Sequence, residues 1–128
     1  MHNRWEYFSE DELRCKGTGE IHMNEEFMKK LIALRKEFNQ PMYITSGYRD
    51  GAYNEVVGGG KTSAHLTGKA VDVACYGNKA YKLIQLAIKH GFTGIGIKQH
   101  SHVEKRFVHL DTVEHQDIQP RPWVWSYK

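Results

Sequence analysis

The chain has 128 residues, with 18 Lys and Arg against 15 Asp and Glu for a formal net charge of +3, and 40% apolar, 12% aromatic and 26% charged residues. That is the composition of one globular domain: it excludes a disordered or collagen-like chain and leaves no length for a catalytic domain plus a large binding domain. No apolar run is long enough to span a bilayer, and the mild positive charge would help approach to an anionic envelope or a nucleic acid without choosing between them.

The opening MHNRWEYFSEDEL has no apolar signal core, so the expectation is a protein made in the cytoplasm without a signal peptide. Within it, Ser9 and Glu12 have capping-box spacing and predict a short helix. KGTG (16–19) reads as a loop. Asn24 caps a longer predicted helix running to about Phe38, because Phe27, Met28, Leu31, Ile32, Leu34 and Phe38 recur at helical spacing. Pro41 opens a short strand over 42–46, the SGYRDG turn follows, and AYNEVV (52–57) predicts a helical turn. GGGKTS (58–63) is a flexible loop. It is no phosphate-binding loop, since Glu55 stands where that pattern needs glycine, and its glycines instead let the chain pass close to a substrate.

AVDVAC (70–75) alternates as a strand, and Asn78 is the expected cap of a helix through His90, stopped by Gly91. FTGIGIK (92–98) and RFVHLD (106–111) predict two further strands. In RPWVWSYK the alternation of Trp123, Trp125 and Tyr127 predicts an edge strand; base stacking by these rings is the weaker use, because basic residues do not cluster with them. His2, His22, His90, His100 and His115 read as solvated or helix-end residues, and Cys15 and Cys75, which form no C-x-x-C pair, as packed thiols. The expected fold class is α+β, a single domain over 1–128 with helices packed on one mostly antiparallel sheet.

The chemistry concentrates in two segments. In SAHLTGKAVD (63–72), His65 ends the glycine-rich loop and Asp72 lies on a strand whose Val71 and Val73 point the opposite way, into the core. A lone buried carboxylate is costly, so Asp72 needs a metal ion or a cationic side chain beside it. In FVHLD (107–111), Val108 and Leu110 share one strand face and His109 and Asp111 the other. His65, Asp72 and His109 can therefore converge on one ion, and two imidazoles with one carboxylate are the ligand set of an open catalytic zinc site.

S-x-H-x-x-G-x-A-x-D with a distal F-V-H-x-D resembles the zinc D-Ala-D-Ala peptidases, a family of carboxypeptidases, vancomycin-resistance dipeptidases, murein endopeptidases and phage endolysins whose fold and zinc site the hedgehog signalling domain shares. FSEDELRCKGTG (8–19), SGYR (46–49), AYN (52–54) and the ending FVHLDT extend the resemblance over most of the chain. It implies one Zn2+ per chain on His65, Asp72 and His109, and a peptidoglycan peptide substrate cut at a D-Ala-containing or diaminopimelate linkage. It also implies that Arg49 holds the substrate carbonyl or carboxylate and stabilises the oxyanion, and that Ser63 contacts the substrate or orients the loop.

One departure concerns the general base. Several relatives carry Asp or Glu three residues before the second zinc His, where this chain has Arg106. Asp111 is the first candidate for the base and Glu104 the second, with Asp111 as a group that fixes His109 the alternative. His102 is a further candidate oxyanion partner. Short length, basic balance and the missing signal core fit a monomeric phage endolysin without a wall-binding domain, released to act on the cell wall, with no nucleic-acid partner and no membrane insertion. A zinc-binding interaction module without turnover, motivated by Arg106, is the alternative, and a basic nucleic-acid binder a third reading.

Overall fold

Short polar caps decide where the helices begin. At Ser9 the hydroxyl accepts from the Glu12 amide (3.1 Å) while the Glu12 carboxylate accepts from the Ser9 amide (3.0 Å), and this reciprocal pair opens α1 (Glu10–Leu13). The second oxygen of Glu12 accepts from the Ile44 amide (3.4 Å), tying α1 to the first strand. The Asn24 side chain accepts from the Phe27 amide (2.9 Å) and opens α2 (Glu25–Phe38), which ends on Asn39 in the left-handed region at φ 55°. The computed structural model describes residues 4–60 and 63–128; the expectations for His2 and for Lys61 and Thr62 of the glycine-rich loop lie outside the described residues.

Strand β1 (Tyr43–Ser46) leads through the SGYR turn into α3 (Gly51–Val56), capped by Asp50. A single 3-10 turn (Ala64–Thr67) precedes β2 (Ala70–Ala74). Helix α4 (Gly77–Lys89) differs from expectation at its start. Gly77, at φ 62°, turns the chain into the helix early, so Tyr76 occupies the cap position without a side-chain bond and Asn78 falls inside the first turn. Strands β3 (Gly94–Lys98) and β4 (Phe107–Asp111) follow, separated by a second 3-10 turn (Val103–Lys105), and β5 (Trp123–Ser126) ends the fold.

The five strands form one sheet in the order β1-β2-β4-β3-β5, antiparallel throughout except where β5 runs parallel to β3 along the edge. This is the expected α+β arrangement. Residues opposite one another share a face, so Val71 and Leu110, Val73 and Val108, and Ile95 turn to one side of the sheet. There they pack with Phe27, Leu31 and Leu34 of α2 and Leu83 and Ala87 of α4 in the main hydrophobic core. Each Val, Leu, Ile or Phe side chain so removed from water contributes about 1.5–3 kcal/mol. Cys15 and Cys75 are free thiols, and burial pushes that of Cys75 up to about 11. Among the described residues no helix is long and apolar enough to cross a membrane.

Candidate metal centre

The other face of the same strands is polar and equally buried. Register pairs Asp72 on β2 with His109 on β4, side by side and away from the helices. His65 arrives from the 3-10 turn just before β2. Ser63 caps that turn by accepting from the His65 amide (3.3 Å), and Gly68, at φ 73°, ends it. Only glycine suits that end: a Cβ there would lie 1.9 Å from the His22 carbonyl oxygen, while the Gly68 carbonyl accepts from the Asn24 amide (2.9 Å). The turn carrying His65 is thereby locked to the cap of α2. The Arg49 amide donates to the His65 carbonyl (3.1 Å), joining the SGYR turn to it as well.

The two imidazoles close on one carboxylate oxygen. His65 Nε2 lies 3.2 Å and His109 Nδ1 3.0 Å from Asp72 Oδ1, with the rings edge to face at 5.1 Å. A donor atom from each of His65, Asp72 and His109 lies within 4.8 Å of the other two, and all three residues are buried. The outer nitrogens are held. His65 Nδ1 donates to the Gly47 carbonyl (2.8 Å), and His109 Nε2 donates to Asp111 Oδ2 (2.7 Å). Because a carbonyl or ionised carboxylate only accepts, these bonds keep a proton on each outer nitrogen, so that a bound ion would take the lone pair of the inner one. Two imidazole nitrogens and one carboxylate oxygen, each ring oriented from behind, suit a zinc ion by donor chemistry.

Electrostatics follow from the same contacts. Burial alone would raise the Asp72 carboxyl, but the charge on His65 and the hydrogen bonds from His109 and His65 hold it well below the usual carboxylate range. For His109, burial works against the charged form; hydrogen bonds to Asp111 and Asp72 outweigh it and raise the imidazole. Burial likewise opposes ionisation of Asp111, and His109 with Arg121 overcomes it.

The centre opens into a cavity of about 400 Å³ whose walls include Arg49, Ser63, Trp125 and Tyr127. Arg49 donates from Nε to Ser46 Oγ (3.2 Å) and from Nη1 to Asn54 Oδ1 (3.4 Å), and its Nη2 stands 3.6 Å from Asp72 Oδ2. Arg49 and Ser63 both line the cavity that holds the His–Asp–His group.

The two candidates for the general base are not in the cavity. Strand alternation does bring Asp111 to His109, but on the side of the ring turned away from Asp72. It is 0% exposed and accepts from His109, from Arg121 Nε (3.0 Å) and Nη2 (2.8 Å), and from the Val113 amide (3.1 Å). Asp111 thus faces His109 and Arg121 and stands apart from the cavity lining. Glu104 sits on the second 3-10 turn, in a separate groove with Phe38, Tyr43 and Tyr76. Its loop does not fold over the centre because Arg106 donates twice to the Ser101 carbonyl (3.1 and 2.9 Å) and closes the loop on itself. His102 opens that same exposed turn and lies outside the cavity.

Sequence reasoning missed Arg121 and gave Trp125 and Tyr127 only an edge-strand role. Trp125 lies 5.1 Å from the His109 ring and tilted to it, and Tyr127 packs on Phe107 at 5.0 Å. Burial and the nearby charge of Asp72 push the Tyr127 phenol up to about 12, so it stays protonated. The available signal was the alternation of Gly94 and Gly96. A Cβ at Gly94 would lie 2.3 Å from the Asp111 carboxylate, and one at Gly96 2.7 Å from both Trp125 and Tyr127.

A family model described as Peptidase M15 matches residues 6–111. This chain belongs to the Peptidase M15 family. The M15 match holds His65, Asp72, His109 and Asp111, and ends before Arg121, Trp125 and Tyr127. The M15 chain is also 35% identical over 83 residues to the zinc D-Ala-D-Ala carboxypeptidase of Streptomyces albus G; the match covers 59% of this chain and 32% of that protein. The aligned stretch thus spans about a third of that curated relative's length.

Proposed function

We propose that this M15 chain is a zinc metallopeptidase that hydrolyses peptide bonds in bacterial peptidoglycan, at the stem or the cross-link. The observation that carries this reading is the convergence of His65, Asp72 and His109 at a cavity, with both outer imidazole nitrogens already held. The name of the Streptomyces relative supports the metal and a D-Ala-containing peptide. Bound there, zinc supplies a Lewis acid that polarises a carbonyl and makes water a nucleophile near neutral pH.

The chain's own residues do the rest. Asp72 and the two imidazoles would hold the ion. Arg49, fixed by Ser46 and Asn54, presents a cation on the cavity wall where a substrate carbonyl or carboxylate gains negative charge. Ser63 orients the turn that carries His65. Trp125 and Tyr127 form a wall against which the peptide can lie. We propose further that the protein acts as a monomeric phage endolysin, released to the cell wall, where its charge of +3 favours approach to an anionic envelope.

A second reading draws on one observation. Among the described residues, Asp72 is the only carboxylate lining the cavity, which favours a zinc-holding interaction module without turnover. Metal analysis of the purified protein, with mass spectrometry of peptidoglycan digested with and without a chelator, separates the two. About one zinc per chain with chelator-sensitive new peptide ends is expected, and the fragment masses identify the bond. Zinc without fragments supports the module, and no zinc even after its addition removes both readings.

A further inference from the structure

We infer that Arg121 is a positioning residue of the metal centre, acting through Asp111 to fix which nitrogen of His109 faces the ion. The inference rests on the zinc reading above and assigns part of the centre to the segment after residue 111.

The geometry is a chain of held groups. Arg121 grips Asp111 with two parallel bonds, Nε to Oδ1 at 3.0 Å and Nη2 to Oδ2 at 2.8 Å. That fork leaves the carboxylate one orientation, because a bidentate pair fixes a plane as well as a distance. The remaining nitrogen, Nη1, donates to the Pro120 carbonyl (2.8 Å), and the guanidinium lies over the Trp125 ring at 5.0 Å. Arg121 therefore cannot swing away without breaking contacts on every side. The side chains of Arg121 and Asp111 are 6% and 0% exposed, so neither charge has water as an alternative partner.

Held in this plane, Asp111 points Oδ2 at His109 Nε2, 2.7 Å away. An acceptor at that distance requires the proton on Nε2 and frees the Nδ1 lone pair for the ion beside Asp72. Remove the fork and Asp111 can rotate, so that no fixed acceptor holds the Nε2 proton and the ring is free to turn its other nitrogen to the ion. Gly94 completes the arrangement, since any side chain there would strike the Asp111 carboxylate. The arginine is brought to this point by the return of the chain along β3: the Trp123 amide donates to the Thr93 carbonyl (2.9 Å), and β5 then runs parallel to β3. The family match ends at residue 111, so it holds His109, Asp111 and Gly94 but not Arg121.

The test compares wild type, Arg121→Gln and Arg121→Lys by zinc affinity, measured by chelator competition, and by ring-nitrogen NMR of the zinc-loaded His109. In wild type a protonated Nε2 and a zinc-bound Nδ1 are expected. Arg121→Gln should weaken zinc about 10–100-fold and lose the sharp Nε2–H signal. Arg121→Lys keeps the charge without the fork and should fall between, so it carries the test if the Gln variant does not fold. Wild-type affinity together with an unchanged Nε2–H signal in the folded variant overturns the inference. Absence of zinc from the wild-type centre would instead overturn the metal reading, a separately visible result.

Discussion

The two faces of strands β2, β3 and β4 differ in how they exclude water. On the helix face, Val71, Val73, Val108, Leu110 and Ile95 are covered by α2 and α4 and need no particular partner, only matching volume. On the other face, Asp72, His109 and Asp111 are as deeply buried, yet every polar atom there must find a specific mate. They find one another, His65, Arg121 and backbone groups from the SGYR turn. The apolar face tolerates neighbours of similar size, whereas the polar face is a set of fixed orientations that one atom out of place would spoil.

Substitutions that strike one face at a time sharpen this contrast. The largest effect should come from His65→Ala and His109→Ala, each expected to abolish zinc retention and peptidoglycan hydrolysis while the far-ultraviolet spectrum stays folded; one retained zinc per chain in either variant would break the assignment of the polar face. Leu110→Ala, adjacent to His109 but on the helix face, should cost about 2–5 kcal/mol in denaturant unfolding through the cavity it leaves. Its zinc stoichiometry should nevertheless remain that of wild type.

Asp111→Asn tests what the carboxylate does. If it orients His109, zinc should bind about ten- to a hundredfold more weakly and saturating zinc should restore most of the turnover. A loss of two or more orders of magnitude in kcat at saturating zinc would assign Asp111 to proton transfer instead. The smallest effect belongs to Glu37, which pairs on the surface with Lys89 (2.6 Å) and His90 (2.8 Å) and joins α2 to α4. Those hydrogen bonds lower its pKa below the ordinary 4.5, so its contribution is fully present above that value and is lost as pH falls through the folded value. Thermal melts of wild type and Glu37→Gln should therefore differ slightly near neutral pH and converge in acid.

Much of this was legible in the chain because it depends on neighbours in sequence. The caps at Ser9 and Asn24 act on amides three residues ahead, and both helices start where those caps predict. Asn78 failed as a cap because the positive φ of the preceding Gly77, which the tertiary path of the chain imposes, moved the helix start. The His65, Asp72 and His109 group was legible for a similar local reason. Asp72 and His109 each alternate with buried valines or leucine on one strand, and that period of two turns them away from the core whatever the strands pair with.

Strand alternation also placed Asp111 on the face of His109, but it could not say which ring nitrogen the carboxylate would meet, and that choice separates a base from an orienting group. Only the pairing of β4 with β3, the gap left by Gly94 and the return of Arg121 decide it. The place of Glu104 was not legible because its loop is closed by Arg106, a contact with no periodic signature. Sequence by itself determined the elements, their buried faces and the kind of ligands available, since those follow from side-chain period and capping chemistry. Tertiary structure alone decided the orientation of each imidazole and the partners of each charge, because those depend on residues brought together across strands and loops, where local sequence sets no distance.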